Sequence, residues 1–370
     1  MGIRWSPAGV LAVMCVAFLG FYLMRETLWP LLPFSSPGPH QHSPRVSVAA
    51  VLCAAVVAAQ RGGVEVRRVH EAQQLNAKNK GGNTQTRNPV TDGDLRSHFA
   101  MARTLQLAFG GGLRVVSEEH GAVEGQGEGA FPNVVVGTVD NVCPEEISSN
   151  SAANTRFVDL RELQVWIDPL DATQEYTESL LHYVTTMVGI AHKGKAIAGV
   201  IHKPFEEDPA QRTYWAWTDV AVSGNLEEVL SRDRAAAGDT SRPHKLIVSR
   251  SHTGDVEEVA RVAFQGRPME VELAGGAGYK TLQVILGRAS LYLHTTLIKK
   301  WDLGAPNGLL TALGGRLTTV QGRDVDYAAP RSDADVVSHG GVVAALDGHA
   351  HYLDVLAALH PTSKAPRVDS

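Results

Sequence analysis

The chain of 370 residues is long enough for two or three domains, or for one large two-part α/β unit. Its 44% hydrophobic and 20% charged residues are typical of a globular protein, and the net charge of -5 gives no indication of a nucleic-acid-binding surface. Three cysteines, Cys15, Cys53 and Cys143, are too few for a disulfide scaffold or a Cys-rich zinc site. Cys53 and Cys143 could pair only if the fold brings them together, and the sequence alone gives no distance.

Residues 5–24 are apolar and contain no charged residue, and about 20 such residues suffice to cross a bilayer as a helix. A cleaved signal peptide is the alternative, but bulky residues follow the segment where a small-x-small cleavage site would be needed. We predict an uncleaved transmembrane anchor at 5–24, with a short cytoplasmic tail at 1–4. Five prolines within 25–44 predict a stalk after the anchor.

Residues 45–240 are predicted to form an N-terminal α+β half. The apolar run at 46–59 is too short for a bilayer, so it indicates a buried helix, which we extend to 76. Residues 121–155 show no sustained period and are predicted to be an insertion or long loop without an assigned role. The remaining predicted elements are a polar loop at 78–88, a helix at 94–109, strands at 115–117, 164–167 and 213–218, a hairpin of 185–191 with 196–202, and an exposed polar stretch at 225–240.

Residues 241–360 are predicted to form a C-terminal α/β half, because strands and helices alternate there. The predicted strands are 245–249, 270–273 and 290–294, and the predicted helices are 256–264, 280–286 and 306–313. Gly314-Gly315 is predicted to stop the last of these helices. Residues 361–370 are predicted to be a disordered tail.

Acidic motifs recur at the ends of predicted strands or the starts of helices. Alone, each is more typical of a helix cap or a solvated turn. The segment from Asp168 to Thr173 differs, because an apolar strand runs into Asp-Pro-Leu-Asp-Ala-Thr. Two carboxylates and a backbone carbonyl that converge at such a turn are the oxygen ligands that hard divalent cations prefer. The other motifs are Thr91-Asp92-Gly93-Asp94, Glu118-Glu119 and Trp301-Asp302.

The acidic motifs, in their order along the chain, resemble those of the inositol monophosphatase superfamily. The motifs are Glu118-Glu119, Asp168–Thr173, and Trp301-Asp302 before a helix that ends in Gly-Gly. The resemblance runs from about 46 to about 360. It implies an α/β fold, a layered αβαβα sandwich of the inositol monophosphatase/fructose-1,6-bisphosphatase type, preceded here by one transmembrane helix. It also implies phosphatase activity that depends on Mg²⁺ and is inhibited by lithium.

The resemblance further implies roles for individual residues. Asp94 and Thr173 would position or deprotonate the attacking water; Asp92 is a second candidate, although the spacing favours Asp94. Where the family usually has Gly, this chain has Ala172. The implied Mg²⁺ ligands are Glu118, Asp168, Asp171, Asp302 and the Leu170 carbonyl. The implied substrate contacts are Thr173, Ser249, His252, Gly276 and Lys280.

Within the superfamily, the chain resembles the Golgi-anchored branch of the bisphosphate nucleotidases. The segments that carry this resemblance include Glu175-Tyr176-Thr177, Ser249–His252 and Ala274–Lys280. That branch implies removal of the 3′-phosphate of adenosine 3′,5′-bisphosphate, giving AMP and phosphate. It also implies a single-pass type II protein of the Golgi membrane, with a lumenal catalytic domain that supports sulfation, and a possible homo-oligomer. The alternatives are an inositol phosphate phosphatase on the same fold and a non-catalytic membrane scaffold. The intact acidic set argues against the scaffold.

Overall fold

The computed structural model describes residues 44–73, 75–79, 89–119, 134, 143–235, 244–250, 256–264, 269–332, 335, 337–338 and 340–359. The predicted anchor at 5–24, the tails at 1–4 and 361–370, nearly all of the predicted stalk, and His252 lie outside these residues. The described residues from Pro44 to Leu359 belong to one compact unit, which contains parts of both predicted halves.

The helices of this unit, numbered in chain order, differ widely in length. They are α1 (Val48–Glu71), α2 (Asp92–Phe109), α3 (Glu145–Ser148), α4 (Ser151–Thr155), α5 (Thr173–Thr177), α6 (Gly224–Ala235), α7 (Val256–Ala263), α8 (Ala277–Ile285), α9 (Lys300–Ala312) and α10 (His349–Leu359).

Six strands form the first sheet, in the order β10-β9-β8-β7-β6-β4. Only the β4–β6 pair in this sheet is parallel. The strands are β4 (Arg114–Ser117), β6 (Leu163–Asp171), β7 (Thr185–His192), β8 (Lys195–His202), β9 (Thr213–Trp217) and β10 (Ala221–Val222). The predicted hairpin at 193–195 is confirmed as the β7–β8 turn.

Five strands form the second sheet, in the order β12-β11-β13-β17-β15. Strand β11 pairs in parallel with both β12 and β13. The strands are β11 (His244–Ser249), β12 (Met269–Ala274), β13 (Leu291–His294), β15 (Arg316–Thr319) and β17 (Val342–Ala345). Short two-residue or three-residue strands complete the set: β1 (Arg45–Ser47), β2 (Lys78–Asn79), β3 (Pro89–Val90), β5 (Phe157–Asp159), β14 (Ile298–Lys299) and β16 (Val337–Ser338).

Alternation along the strands explains how the layers stack. In β6, Val165 and Ile167 face the cluster that contains α1 and α2, whereas Trp166 faces the cluster that contains α8 and α9. In β13, Tyr292 also faces α8 and α9, whereas Leu291 and Leu293 face α7 and α10. The order of layers is therefore helix, sheet, helix, sheet, helix, which confirms the predicted αβαβα sandwich.

Helix α1 is a core helix. Ser47 caps it by accepting a hydrogen bond from the backbone N–H of Ala50. Among the described residues, α1 alone is long and apolar enough to cross a membrane, and 78% of its most apolar 18-residue window is buried inside the fold. This burial confirms that the second apolar run is a buried helix.

The start of α9 and the end of β6 were predicted wrongly, for identifiable reasons. Helix α9 begins at Lys300, not at Pro306, because a proline is tolerated inside it; the missing N–H leaves the carbonyl of Asp302 without its intrahelical partner. Strand β6 does not end at Asp168 but continues to Asp171, with a shift of register across Pro169. Helix α6 covers the described part of the stretch that was predicted to be polar and exposed, because exposed helices need little apolar sequence.

Candidate active site

Two acidic side chains are placed by neighbouring parallel strands. Ser117 of β4 lies beside Ile167 of β6, and the N–H of Glu118 donates to the carbonyl of Ile167 over 3.2 Å. The carboxyl ends of parallel neighbours meet at one edge of a sheet. Glu118 and Asp168 are therefore brought to the same point.

A third carboxylate arrives from the first turn of α9. Asp302 Oδ2 accepts a 2.9 Å hydrogen bond from the N–H of Lys299, which fixes the side chain at the helix start. One oxygen from each of Glu118, Asp168 and Asp302 lies within 4.8 Å of the others. We call these three residues the carboxylate trio.

The electrostatics of the trio indicate a cation site. Burial and the neighbouring carboxylates of Glu118 and Asp171 raise the pKa of Asp302 to about 8. Carboxylates held this close resist ionising together unless a cation lies between them. Carboxylate oxygens on a well-ordered strand end and helix start suit a hard divalent ion. The oxygen atoms of the carboxylate trio are therefore suitable ligands for the predicted Mg²⁺.

Asp171 is nearby but has different surroundings from the trio. Its oxygens accept hydrogen bonds from Thr185 Oγ1 (3.0 Å) and from the backbone N–H groups of Ala277 (3.0 Å) and Gly278 (2.8 Å). Burial raises the pKa of Asp171, against the effect of the Lys280 charge and these donors. Asp171 thus joins the first sheet to the start of α8, and its predicted role as a metal ligand stays a prediction.

Asp94 and Thr173 form the predicted pair beside the trio. Asp94 is fully buried, and its Oδ2 accepts from both the N–H (2.7 Å) and the hydroxyl (2.6 Å) of Thr91. Its Oδ1 lies 3.1 Å from Thr173 Oγ1, which is also 2.9 Å from the Leu170 carbonyl. Asp92, the second candidate, instead accepts from the side-chain amide of Asn76. The geometry therefore favours Asp94.

Ala172 adopts the left-handed conformation, with φ 69° and ψ 44°. This backbone is disfavoured for residues with a Cβ by roughly 1 kcal/mol, and glycine adopts it freely. This left-handed backbone explains why the family usually has glycine at the position of Ala172. The methyl group of Ala172 is accommodated because Gly276 lies opposite, where an added Cβ would come within 3.3 Å of it.

A cavity of about 320 Å³ lies where β11 and β12 end, beside α5 and the start of α8. Lys280 in its wall is 3% exposed, and burial lowers its pKa to about 8, while Asp171, Glu175 and Asp302 act in the opposite direction. The lining residues are Gln174, Glu175, Ser249, Arg250, Ala274, Gly275, Gly276 and Lys280. Three of the predicted substrate contacts, Ser249, Gly276 and Lys280, are thus brought together, whereas His252 lies outside the described residues.

The sequence alone did not indicate some residues that hold the site in place. Ser97, three residues after Asp94 on the same face of α2, donates to the Pro169 carbonyl over 2.6 Å and so holds the turn. Arg250 donates to Glu175 (2.9 Å) and Glu178 (2.7 Å), which ties the end of β11 to α5. The i, i+3 spacing could have revealed Ser97. No local signal pairs Arg250 with residues about seventy positions earlier.

Known proteins are similar to this chain in sequence and in fold. The profile of the inositol monophosphatase family matches residues 48–354. The chain belongs to the inositol monophosphatase family. The family assignment confirms the resemblance drawn from the acidic motifs, and the chain contains a cluster of three acidic residues.

Two relatives of this family member carry different substrate names. The chain is 38% identical over 363 residues to the Golgi-resident adenosine 3',5'-bisphosphate 3'-phosphatase of Mus musculus, covering 94% of each chain. It is 37% identical over 362 residues to inositol monophosphatase 3 of Xenopus tropicalis, covering 94% of this chain and 92% of the relative.

Solved structures of the family share the fold. The extragenic suppressor protein suhB of Bartonella henselae aligns with a TM-score of 0.54 at 15% identity, covering 83% of this chain and 98% of that one. An inositol monophosphatase from Anabaena aligns with a TM-score of 0.51 at 17% identity, covering 86% and 98%. At these identities the likeness concerns the fold alone.

Proposed function

We propose that this protein is a Mg²⁺-dependent phosphatase that removes the 3′-phosphate of adenosine 3′,5′-bisphosphate, giving AMP and phosphate. The observation that carries the proposal is the carboxylate trio, which hydrogen bonds at Leu170 connect to the Asp94–Thr173 pair: Asp168 accepts from the Leu170 N–H, and Thr173 lies 2.9 Å from the Leu170 carbonyl. The substrate is inferred from the relatives named Golgi-resident adenosine 3',5'-bisphosphate 3'-phosphatase, which are 38% identical over 94% of this chain.

The residues divide into groups with distinct tasks. Glu118, Asp168 and Asp302 would hold Mg²⁺, together with Asp171 and the Leu170 carbonyl. Bound Mg²⁺ supplies Lewis-acid stabilisation of the charge that develops on the phosphoryl group. Carboxylate ligands and Mg²⁺ are matched in hardness, which favours this ion over softer metals.

Asp94 and Thr173 would prepare the attacking water. Because Asp94 Oδ2 is occupied by Thr91, only Oδ1 faces Thr173. The Thr173 hydroxyl has a single hydrogen, which it donates to Asp94 or to Leu170, so its lone pairs remain able to accept a hydrogen bond from water. Asp94 can then receive the proton of that water through this contact.

The test is a panel of phosphate esters assayed with the full-length protein. We expect phosphate release from adenosine 3′,5′-bisphosphate with Mg²⁺, its loss on chelation, and its inhibition by millimolar lithium against a matched sodium control. Faster release from an inositol monophosphate would favour the alternative named in the Xenopus tropicalis relative. No release from either ester by a folded, Mg²⁺-loaded protein would favour a non-catalytic scaffold.

We further propose that the catalytic unit lies in the Golgi lumen, anchored by residues 5–24 as a single-pass type II protein. Two facts support this placement. Relatives are named Golgi-resident, and Cys53 and Cys143 form a disulfide with their Cα atoms 4.8 Å apart. Disulfides persist in oxidising compartments and are rare in the cytosol.

A further inference from the structure

Ser249 and His294 meet at the carboxyl edge of the second sheet. Val248 of β11 lies beside Leu293 of β13 in a parallel pair, and the next residues along these strands are Ser249 and His294. Their side chains are in contact, with Ser249 Oγ 3.1 Å from His294 Nδ1. Ligands of open α/β sheets bind outside the carboxyl ends of the parallel strands, so the pair lies where a ligand is expected.

Ser249 also lines the 320 Å³ cavity, and this cavity adjoins the predicted metal ligands. Lys280 lines the same cavity, and the negative charges of Asp171 and Asp302 act on its ammonium group. An added Cβ at Gly276, another lining residue, would come within 2.8 Å of Asp171 Oδ2. The organic part of a phosphate ester held at those ligands would therefore extend into the cavity.

The second ring nitrogen of His294 decides the direction of the hydrogen bond with Ser249. His294 Nε2 lies 3.2 Å from the carbonyl oxygen of Leu297, which can only accept, so Nε2 carries the hydrogen. The Thr296 hydroxyl, 3.1 Å from the same nitrogen, can accept as well as donate and is compatible with this arrangement. In the neutral imidazole the other nitrogen, Nδ1, is then an acceptor, and the Ser249 hydroxyl donates to it.

The direction of this bond limits what Ser249 can recognise. A serine hydroxyl has one hydrogen and two lone pairs, and the hydrogen of Ser249 is directed to His294. Ser249 therefore offers only lone pairs to a molecule in the cavity. A deprotonated phosphate oxygen also has only lone pairs to offer, whereas an O–H or N–H group can donate to Ser249. The charged donor of Lys280 in the same wall suits the phosphate instead.

We propose that His294 is a positioning residue, which holds the Ser249 hydroxyl as an acceptor for a hydrogen-bond donor of the substrate. This inference rests on the proposed function and deepens it, because Ser249 then recognises the nucleoside and not a phosphate. In adenosine 3′,5′-bisphosphate, two groups have this chemistry: the 2′-hydroxyl and the 6-amino group of adenine. The experiment distinguishes these two sources.

The test measures kcat/KM of the full-length protein for adenosine 3′,5′-bisphosphate and two analogues. 2′-Deoxyadenosine 3′,5′-bisphosphate lacks the hydroxyl, and inosine 3′,5′-bisphosphate has an oxygen in place of the amino group. We expect the wild type to prefer the parent ester over one analogue roughly tenfold, and Ser249→Ala to lose this preference. The analogue that is discriminated against identifies the donor. Equal values for all three esters, or a preference that survives in Ser249→Ala, would overturn the inference.

Two substitutions of His294 test its positioning role. The carbonyl oxygen of His294→Asn can replace Nδ1 as the acceptor, whereas His294→Leu has no acceptor and leaves the Ser249 hydroxyl free to rotate. We expect the preference to persist in His294→Asn and to fall in His294→Leu to the level of Ser249→Ala. Full retention of the preference in His294→Leu would overturn the role of His294.

The chain offers a matched control, a second Ser–His pair at the amino ends of the same two strands. Ser290 Oγ lies 3.3 Å from His244 Nδ1, where β11 and β13 begin. Ser290→Ala removes a hydroxyl with the same kind of partner, away from the cavity, and should leave the preference unchanged. Adenosine 3′-monophosphate adds a second control. If Ser249→Ala slowed hydrolysis of the bisphosphate but not of this monophosphate, Ser249 would contact the second phosphate, and the inference would be overturned.

A binding measurement keeps the inference separate from the proposed function. AMP retains both candidate donors, so its Kd in the presence of Mg²⁺ is compared with those of 2′-deoxy-AMP and inosine 5′-monophosphate. If the wild type hydrolyses no ester, the proposed function fails, but tighter binding of AMP than of one analogue, lost in Ser249→Ala, would still support the role of Ser249. Equal binding of the three nucleotides by the wild type would overturn that role.

Discussion

The two aspartates of the Asp168–Asp171 pair have different neighbours, although three positions separate them. Asp168 belongs to the carboxylate trio, and its Oδ1 accepts the N–H of Leu170 over 3.1 Å. Asp171 instead accepts three hydrogen bonds, two of them from the backbone at the start of α8. Removal of the Asp168 charge should therefore mainly weaken metal binding, whereas removal of the Asp171 charge should also lower the stability of the fold.

We expect Asp168→Asn and Asp171→Asn both to lower turnover more than ~100-fold, the scale on which oriented metal-site groups act. Only Asp171→Asn should also lower the free energy of unfolding, by about 1–3 kcal/mol, because its new NH₂ group faces donors. Phosphate release and urea unfolding without Mg²⁺ measure the two effects. A folded Asp171→Asn protein with near-normal activity would refute the assignment of Asp171 as a metal ligand.

At the scale of elements, the backbone of α9 packs directly against strands of the first sheet. Gly199 of β8 faces the Ala305 carbonyl, Gly189 of β7 faces Gly304, and a Cβ at either glycine would overlap the helix backbone. The absence of side chains there lets the helix approach the strands directly. Because the first turn of α9 carries Asp302, this contact also sets the position of a predicted metal ligand.

We expect Gly199→Ala to displace α9, and so to lower the free energy of unfolding by about 1–3 kcal/mol and to weaken Mg²⁺ binding. The matched control is Gly111→Ala, because an added Cβ at Gly111 meets no atom within 4 Å. Urea unfolding and the Mg²⁺ concentration for half-maximal activity measure both variants. Equal behaviour of the two variants would contradict the idea that this contact positions Asp302.

For the whole molecule, the Cys53–Cys143 disulfide connects α1 to a residue 90 positions later. By loop-closure entropy, a crosslink over a loop of this length stabilises the folded state by about 4.6 kcal/mol. The bond requires an oxidising compartment, so its state in cells reports where the catalytic unit lies. A catalytic unit in the lumen should therefore contain the disulfide, and one in the cytosol should contain two free thiols.

The prediction uses a full-length Cys15→Ser protein with a C-terminal tag, in which Cys53 and Cys143 are the remaining thiols. In sealed microsomes, we expect the tag to resist protease until detergent is added, and alkylation to require prior reduction. The Cys53→Ser derivative should expose one alkylatable thiol. Digestion of the tag without detergent, together with two free thiols, would place the unit in the cytosol and remove the proposed role in sulfation.

The sequence by itself determined the fold class and the family, and it singled out the three carboxylates that the structure brings together. The family and the layered fold came from the resemblance that the ordered acidic motifs carry, whereas the buried strands came from the apolar pattern of the sequence. The second apolar run was recognised as a core helix because its length was insufficient for a bilayer.

The tertiary structure alone decided the features that depend on distances between remote positions. It brought Cys53 to Cys143, placed Asp171 against the start of α8, and set Ser249 beside His294. A local pattern specifies how a segment folds and which face is apolar, but not which distant segment will pack on it. Those distances arise when the layers pack together, because side-chain volumes and hydrogen-bond partners from separate segments must then be satisfied together.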